Sequence, residues 1–288
     1  MIRFEKIIRS IRCRLRPVPF VAHRILLTGA AGKIGQPVGA ELVRHGYWVR
    51  AIDCVAAPAN SPVHDWITGD IGNRALLDAA MTDIEVVVHL AAALEDRTFD
   101  PDLIETNIRG AYRVFESART HGVRRMIFAS SPLAVFWQTV GSKRPVRTDS
   151  TFAPLDMYSI TKIFGEQLGW LYGEHHGLPT IAIRFGWLPH DEENQRKLDN
   201  SPDYQDWYLS PGDAARAVAL AIAAPAERVG KFAVAYVASK PKGAGPFDLR
   251  PAKRLLSYVP QDQYRPPTQN VNPTSPQAAS DNGRPDHA

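Results

Sequence analysis

Three glycines recur at intervals of three residues in the segment Thr28-Gly-Ala-Ala-Gly-Lys-Ile-Gly35. The segment lies between a short apolar run and a helical pattern, and the start of a helix attracts anions through its free N–H groups. Gly29 would allow a tight turn, Gly32 a close approach of the backbone to a phosphate, and Gly35 close packing of the helix. The spacing therefore predicts a loop that holds a pyrophosphate. The predicted contacts in this glycine loop are Gly29, Gly32, Lys33, Ile34 and Gly35.

An acidic residue, Asp53, ends the second apolar run, 18 positions after Gly35. At that place in a dinucleotide site, a carboxylate accepts hydrogen bonds from the adenosine ribose and repels a 2′-phosphate. The position favours NAD over NADP as the cofactor, although Arg44 and Arg50 are near enough in sequence to hold a 2′-phosphate. Asp70 ends the third apolar run and could reach the adenine in a similar way.

A second candidate site is the pair Tyr158 and Lys162, whose spacing places both side chains on one face of a helix. A phenol has a pKa of about 10 and is a poor base at neutral pH, but a neighbouring ammonium group and a nicotinamide charge would lower that pKa. The pair could then move a proton while a hydride passes to or from the nicotinamide. Ser131, before this helix, could hold the substrate oxygen. A tyrosine and a lysine on the surface of an amphipathic helix are the alternative.

Apolar runs alternate with helical patterns through the middle of the chain, which predicts a parallel sheet covered by helices on both faces. The predicted strands span residues 24–28, 47–52, 63–68, 85–90, 124–129, 180–184 and 231–237. The predicted helices span residues 33–45, 74–81 after an Asn73 cap, 101–121, 157–176 and 210–223. Such sheets bind ligands at the carboxyl ends of their strands, which is where the glycine loop, Asp53 and Ser131 fall.

Further motifs follow the glycine loop in a set order: Asp70-Ile71, His89-Leu-Ala-Ala92, Asn107 with Gly110, Ser130-Ser131 and Tyr158 with Lys162. Together they resemble the short-chain dehydrogenase/reductase superfamily, and within it the extended, epimerase/dehydratase-like branch, over about residues 24–260. The resemblance implies a Rossmann fold, which is a doubly wound parallel α/β sheet, with a small C-terminal substrate-binding part. It also implies a bound NAD(P).

The resemblance implies roles for individual residues. Ser131, Tyr158 and Lys162 would be catalytic, and Lys162 would also hold the nicotinamide ribose. Asn107 matches a helix asparagine that supports the catalytic site in relatives, and a structural role is the alternative for it. The implied cofactor contacts outside the glycine loop are Asp53, Asp70, Ile71, Leu90, Ala91, Ala92, Tyr158 and Lys162.

Within that branch the chain most resembles uronate dehydrogenases, for example in Arg184-Phe-Gly186. Arg196 falls near the arginine that grips the substrate carboxylate in those enzymes, and a solvated loop arginine is the alternative. Pro132, Leu133 and Trp187 stand where relatives carry polar side chains. Each hydrogen bond lost to a hexuronate would cost about 1 kcal/mol, so we expect weak or absent activity on glucuronate and galacturonate. The predicted substrate contacts are Ser131, Trp187 and Arg196.

The leading hypothesis is an NAD-dependent oxidoreductase that acts on a sugar, a sugar acid or another hydroxy or oxo compound. An NAD-dependent sugar epimerase or dehydratase, in which the hydride returns to the same substrate, stays an alternative. A nucleotide-binding regulator without turnover is a third hypothesis, and the presence of both Tyr158 and Lys162 argues against it.

Composition narrows the class of protein. The 288 residues are 44% hydrophobic and carry a net charge of +4, which does not indicate a nucleic-acid partner. No apolar run approaches the roughly 18 residues that span a bilayer. The nine histidines lack the spacing of metal ligands, so no metal is expected. Two cysteines, Cys13 and Cys54, form no disulfide scaffold and favour a reducing compartment, for which we expect the cytoplasm.

The chain divides into three predicted parts. Residues 1–22 form a basic extension, for which a solvated segment, a membrane-surface helix and a targeting peptide all stay open. Residues 23–259 form the NAD-binding domain, with its substrate-binding lobe at about 185–259. Residues 260–288 are rich in Pro, Gln, Asn and Ser, and we expect them to be disordered. The expected partner is a small-molecule substrate, and the sequence leaves a homo-oligomer open.

Overall fold

One parallel sheet forms the centre of the structure. The computed structural model describes residues 23–266, apart from 141, 143, 144 and 244. The strands are β1 (Arg24–Thr28), β2 (Trp48–Asp53), β3 (Asp65–Thr68), β4 (Val86–His89), β5 (Arg125–Ser130), β6 (Thr180–Phe185) and β7 (Phe232–Val237). They lie in the order β3-β2-β1-β4-β5-β6-β7, and every neighbouring pair is parallel. This order confirms the predicted doubly wound α/β fold.

Helices cover the sheet. They are α1 (Gly35–Arg44), α2 (Arg74–Ala80), α3 (Ala111–Thr120), α4 (Phe136–Thr139), α5 (Met157–His176), α6 (Glu192–Asn200), α7 (Pro202–Trp207), α8 (Pro211–Ala223), α9 (Ala226–Val229) and α10 (Arg250–Leu256). A π-helical segment, Phe99–Gly110, runs directly into α3, and a 3₁₀ turn, Pro132–Val135, precedes α4. The helix predicted over 101–121 is therefore two segments with different hydrogen-bond spacing.

The alternation of side chains along β1 explains why both faces of the sheet are covered. Ile25 and Leu27 pack into one core with Leu42 of α1, whereas Leu26 packs into a second core with Phe115 of α3. Successive residues of a strand point to opposite faces of a sheet, so a wholly apolar strand needs a helix layer on each side. These side chains are fully buried, and each burial stabilises the fold by about 1.5–3 kcal/mol.

Three helix ends carry residue types that commonly cap helices. At the start of α2, Asn73 Oδ1 accepts a hydrogen bond from Leu76 N at 3.2 Å. At the start of α8, Ser210 Oγ accepts one from Asp213 N at 2.9 Å. Gly177 ends α5 in the left-handed region, with a φ of +67°. The structure thus confirms the predicted start of α2 and the predicted end of α5.

The segment after α10 packs on the domain. Asp213 is fully buried, and its carboxylate accepts hydrogen bonds from Gln261 N at 2.9 Å and from Asp262 N at 3.0 Å. A buried carboxylate needs such donors because it has lost its water. Residues 260–266, which the sequence predicts to be disordered, are therefore held by the fold, and we call them the C-terminal strap.

The predicted substrate lobe, about residues 185–259, is continuous with the sheet. Its strand β7 pairs with β6 through six residues, and its helix α8 packs against α1. Helices α6 and α7 follow β6 and have no counterpart in the sequence-based prediction. The predicted basic extension, with Cys13, and the predicted tail beyond residue 266 lie outside the described residues. Within the described part of the chain, no helix has the length and apolar character to cross a membrane.

Candidate active site

A cleft of about 880 Å³ opens at the carboxyl ends of β1 and β4, where the strand order reverses. Open parallel sheets bind ligands at this place. Every predicted cofactor contact lines the cleft: Gly29, Gly32, Lys33, Ile34, Gly35, Asp53, Asp70, Ile71, Leu90, Ala91, Ala92, Tyr158 and Lys162. The fold therefore brings together residues that lie up to 133 positions apart in the sequence.

The glycine loop between β1 and α1 has no room for a side chain at two of its positions. Gly29 has a φ of +70°, and a Cβ atom there would lie 2.6 Å from Ala91 N. A Cβ atom on Gly35 would collide with the carbonyl oxygen of Gly29. The loop stays tight for this reason, and the start of α1 lies in the wall of the cleft. This arrangement fits the pyrophosphate of a dinucleotide.

Backbone N–H groups orient the two acidic residues of the cleft that the sequence singles out. Asp53 Oδ2 accepts a hydrogen bond from Ala31 N at 2.9 Å, and Asp53 Oδ1 accepts one from Val55 N at 3.2 Å. Asp70 Oδ1 accepts one from Gly72 N at 2.6 Å. Because the carboxylate of Asp53 is fixed at the end of β2, it is placed as an acceptor for a ribose.

The two arginines that could hold a 2′-phosphate are engaged elsewhere. Arg44 pairs with Glu41 on α1 at 2.6 Å, and Arg50 Nε lies 2.7 Å from Asp65 Oδ2. Neither arginine lines the cleft. Among the residues that line the cleft at the end of β2, no arginine therefore offsets the charge of Asp53.

Tyr158 and Lys162 lie in the first turns of α5. Asp156 caps this helix by accepting a hydrogen bond from Ser159 N at 2.8 Å. Lys162 is buried, and its Nζ donates to the carbonyl oxygen of Ala129 at 3.0 Å. The same Nζ lies 5.3 Å from the centre of the Tyr158 ring. The predicted pair therefore shares one face of the helix and one side of the cleft.

The protein environment moves the two pKa values in directions set by burial. Burial lowers the pKa of Lys162 to about 8, and the charge of Glu95 opposes that change. Burial raises the pKa of Tyr158, and the charges of Glu95 and Asp156 raise it further. The expected lowering of the Tyr158 pKa is therefore not produced by the protein alone. It would need the positive charge of an oxidised nicotinamide.

The two serines after β5 have different surroundings. Ser131 lines the cleft, and its Oγ accepts a hydrogen bond from Leu133 N at 3.2 Å. This leaves the Ser131 hydroxyl proton for a ligand. Ser130 Oγ instead donates to Glu166 Oε1 at 2.6 Å, which ties it to the interior. Ser131 is therefore the serine placed to meet a substrate, as the sequence predicts.

Asn107 lies outside the cleft wall and joins two elements of it. Its Nδ2 donates to Ala93 O at 2.9 Å and to Thr161 Oγ1 at 3.0 Å, and its Oδ1 accepts from Ala93 N at 2.8 Å. Ala93 follows β4, and Thr161 precedes Lys162 on α5. The polar atoms of Asn107 bind the protein and not the cleft, which agrees with the structural alternative, and a catalytic role stays a prediction.

Apolar residues also line the cleft. Pro132, Leu133 and Trp187 all lie there, in agreement with the less polar pocket that the sequence predicts. Trp207, from the end of α7, joins them. Arg196 does not: it is an exposed residue of α6 and is absent from the cleft lining. The structure therefore does not bring Arg196 to the cleft, and its contact with a substrate carboxylate stays a prediction.

Several charged residues of the cleft are missing from the sequence-based prediction. Glu95, Asp96 and Arg97 follow β4, and His190 follows β6. All four lie in loops at the carboxyl ends of strands. This position is the sequence feature from which their place in the cleft could have been predicted. Three or more His, Cys, Asp or Glu residues grouped as metal ligands do not occur within the described residues.

A buried ion pair behind the cleft is a second feature that sequence reasoning missed. Arg184 of β6 donates through Nε and Nη2 to the two carboxylate oxygens of Glu166 on α5, at 2.8 and 2.9 Å. Arg184 Nη1 also donates to Tyr236 OH at 2.9 Å. With Ser130, these residues connect β5, α5, β6 and β7. Glu166 lies one helical turn after Lys162, and this spacing is the sequence feature that could have indicated that Glu166 lies on the same face of α5.

A family model agrees with this geometry. The model described as "NAD dependent epimerase/dehydratase family" matches residues 25–188, more than half of the chain. The chain belongs to the NAD dependent epimerase/dehydratase family. This membership agrees with the resemblance to extended short-chain dehydrogenases and with NAD as the predicted cofactor. The matched segment contains the glycine loop, Tyr158 and Lys162.

Individual relatives are dehydrogenases of sugars and sugar acids. An L-arabinose 1-dehydrogenase (NAD(P)(+)) of Haloferax volcanii is 30% identical over 70% of this chain and 83% of its own length. A uronate dehydrogenase of Pseudomonas putida is 30% identical over 64% of this chain and 68% of its own length. The crystal structure of a glucuronic acid dehydrogenase from Chromohalobacter salexigens has a TM-score of 0.71 and 28% identity, and it covers 84% of this chain and 85% of that one.

Proposed function

We propose that the protein is an NAD-dependent oxidoreductase that removes a hydride from an alcohol of a sugar, a sugar acid or a related hydroxy compound. The carrying observation is that Ser131, Tyr158 and Lys162 line one cleft together with the glycine loop and Asp53. The relatives of this chain include dehydrogenases of arabinose and of uronates, which supports the reaction class.

Each residue has a step that follows from its chemistry. Ser131 Oγ holds the substrate oxygen by a hydrogen bond, and Tyr158 takes the proton from that oxygen as the carbon loses its hydride. NAD, when bound, accepts the hydride and brings a positive ring. Lys162 lowers the cost of the phenolate at Tyr158 through its charge, since its pKa of about 8 keeps it protonated at neutral pH. Asp53 holds the adenosine ribose and disfavours a 2′-phosphate.

The deciding measurement uses Tyr158→Phe, which removes the hydroxyl and keeps the ring. We expect turnover to fall by about 10² or more, the scale of a lost acid/base group, while NADH affinity stays within about threefold. Tyr112→Phe is the matched control, because Tyr112 is an exposed tyrosine outside the cleft lining. Turnover would be followed at the NADH absorbance with a panel of aldoses, uronic acids and simpler alcohols. Full activity of Tyr158→Phe would refute the proposal.

The same assay separates oxidation from epimerisation. A dehydrogenase releases one NADH for each substrate oxidised, whereas an epimerase or dehydratase returns the hydride and gives no net NADH. Product formation without NADH release would therefore favour the alternative reaction. The dependence on Tyr158 is expected in both cases, because both begin with the same hydride removal.

A further inference from the structure

Building on the proposed function, we infer that the substrate end of the cleft selects an uncharged hydroxy compound that presents an apolar face. Glu95 is the residue that discriminates against carboxylates. Two independent observations lead to this substrate class. One is a pair of tryptophans held in the cleft wall, and the other is the charge of the loop after β4.

Trp187 and Trp207 form an aromatic wall in the cleft. Trp187 N donates to Trp207 O at 2.7 Å, which joins the two segments. The ring of Trp187 lies 4.6 Å from that of Tyr204, and the ring of Trp207 packs edge-on against Phe247 at 4.9 Å. The wall is thus fixed by the protein itself. A flat apolar surface of this kind takes the C–H face of a ring or the alkyl part of a ligand.

The backbone beside the aromatic wall has few free hydrogen-bonding groups. The N–H of Trp187 is used within the wall, and its carbonyl oxygen accepts from Leu209 N at 2.9 Å. Pro132 has no N–H, and the N–H of Leu133 donates to Ser131 Oγ at 3.2 Å. Apart from the indole N–H groups of the two tryptophans, a substrate hydroxyl directed at this wall would lose its water partners without gaining new ones, which weakens binding. The wall therefore suits the apolar face of a substrate.

The loop after β4 gives the cleft an excess of negative charge. Glu95, Asp96 and Asp102 line the cleft from this loop, together with Arg97. Arg97 Nε lies 3.9 Å from Asp96 Oδ1, so its charge is offset within the loop. Glu95 forms no ion pair with any described residue at comparable range. Glu95 lines the same cleft as Tyr158 and Lys162, and its negative charge opposes the effect of burial on the pKa of Lys162.

Three cations line the cleft, Lys33, Lys162 and Arg97, and each already contacts an oxygen of the protein. Lys162 and Lys33 each donate to a backbone carbonyl oxygen, at 3.0 and 3.2 Å. Arg196, the arginine predicted to grip a carboxylate, is exposed and lies outside the cleft lining. A carboxylate in the cleft would be repelled by Glu95, and because the Glu95 side chain is exposed, this repulsion is moderate and weakens as salt is added. An uncharged substrate avoids this repulsion.

Matched pairs of substrates test the inference. D-galactose is compared with D-galacturonate, D-glucose with D-glucuronate, and cyclohexanol with 4-hydroxycyclohexanecarboxylate, each as kcat/KM with NAD at pH 7. The first two pairs probe sugars, and the third probes an alicyclic alcohol with the same change of charge. We expect the neutral member to be favoured by about tenfold or more in every pair that turns over.

Glu95→Gln removes the charge and keeps the shape of the side chain. We expect it to reduce the preference for the neutral member by about threefold or more. Glu227→Gln is the control, because Glu227 is exposed on α9 and lies outside the cleft lining; it should leave the preference within about twofold of the wild type. A change in this ratio is not expected from a general loss of stability, which affects both substrates equally.

The outcomes separate the inference from the proposed function. Equal or better turnover of the acids by the wild type would overturn the inference, as would a preference that Glu95→Gln does not change. Turnover of none of the three neutral compounds would also overturn it. If the acids are oxidised and Tyr158→Phe abolishes that activity, the inference falls and the proposed function stands. If Tyr158→Phe oxidises the neutral compounds normally, the proposed function falls.

Discussion

We expect Asp53 to control the choice between the coenzymes NAD and NADP through its carboxylate. Its two oxygens are held by Ala31 N and Val55 N, and neither Arg44 nor Arg50 reaches the cleft wall. We expect the wild type to bind NADH at least about tenfold more tightly than NADPH, because the 2′-phosphate would lie beside an uncompensated charge.

Asp53→Asn should reduce that coenzyme preference by about tenfold. The dissociation constants of NADH and NADPH, measured by fluorescence titration, check this expectation. Asp203→Asn changes an exposed aspartate of α7 outside the cleft lining, and it should leave the preference as it is in the wild type. Equal affinity of the wild type for both coenzymes would show that Asp53 has another role.

His89 makes the stability of the domain depend on pH. It is buried at the end of β4, and its Nδ1 lies 2.7 Å from Thr28 Oγ1. Burial, helped by the charge of Lys162, lowers the pKa of His89 to about 3. The unfolded chain takes up a proton at about pH 6.5, but the folded chain does so only near pH 3. The free energy of unfolding should therefore fall between pH 6.5 and pH 3, by up to about 1.4 kcal/mol per pH unit from this residue.

Urea unfolding of His89→Asn between pH 6.5 and pH 4 measures this contribution. Asparagine does not titrate, so the dependence of the unfolding free energy on pH should be shallower than in the wild type. His175→Asn, at an exposed position, should retain the wild-type dependence. An unchanged slope in His89→Asn would contradict the expectation.

Single residues were predictable where a spacing rule applies to them. The glycine loop, Asp53, and Tyr158 with Lys162 each have a fixed place relative to a strand or a helix. Glu95 has no such rule, because the length and path of the loop after β4 decide whether its side chain enters the cleft. The place of Arg196 outside the cleft lining was not predictable for a similar reason: helix α6 determines which of its residues face solvent, and the sequence-based prediction had no helix there.

At the scale of elements, the ion pair of Arg184 and Glu166 connects β6 with α5. Both side chains are almost completely buried, so neither charge has water as an alternative partner. Removing one member leaves a buried charge unpaired, which costs about 3–5 kcal/mol, whereas replacing both by apolar groups costs much less. The pair should therefore behave as a unit in mutational experiments.

A double-mutant cycle with Arg184→Met and Glu166→Met tests this unit. We expect each single variant to lose about 3–5 kcal/mol of unfolding free energy in urea, and the double variant to lose less than the sum. Glu193→Gln breaks the exposed pair with Lys197 and should cost less than about 1 kcal/mol. Additive losses at Arg184 and Glu166 would mean that the two charges are not coupled.

The elements that were predicted well are those whose sequences contain a run or a regular spacing of apolar residues. Strands β4 and β6 are short runs of buried residues, and α5 ends at a glycine. Helix α6 reads Glu-Glu-Asn-Gln-Arg-Lys-Leu-Asp-Asn and buries one residue, Leu198, so its hydrophobic period is too weak to detect. Helix α7 has six residues, which is less than two turns, and such a segment lacks a measurable period.

At the scale of the whole molecule, the C-terminal strap packs on the domain where the buried carboxylate of Asp213 lies. Asp213 receives two backbone N–H groups from the strap, and Tyr264 OH accepts a hydrogen bond from Gln195 of α6 at 2.9 Å. The strap was not predictable from composition, because polar residues that bond to a buried carboxylate look like those of a disordered tail. The composition of a segment shows how much apolar surface the segment can bury. It does not show which buried polar groups elsewhere in the domain depend on hydrogen bonds from that segment.

Two truncations test the strap. A chain ending at residue 266 should have the thermal stability of the full chain, since it retains every strap contact. A chain ending at residue 259 removes both donors to Asp213, and hydrogen bonds to a charged group are worth about 1.5–3 kcal/mol each. We expect its Tm to fall by several degrees, measured by circular dichroism. Equal Tm values for the two truncations would show that the strap contributes nothing to stability.

Most of the predicted coenzyme contacts of the cleft, apart from Tyr158 and Lys162, come from a different stretch of chain than its aromatic wall. The glycine loop, Asp53 and Asp70 precede residue 93, whereas Trp187 and Trp207 follow β6. Changes to the wall therefore do not pass through the backbone that holds the dinucleotide. A library confined to positions 132, 133, 187 and 207 would explore new substrates while its members share one inherited coenzyme site. Because the two sets of contacts are separate, the same fold can acquire a new substrate specificity through changes on one side of the cleft.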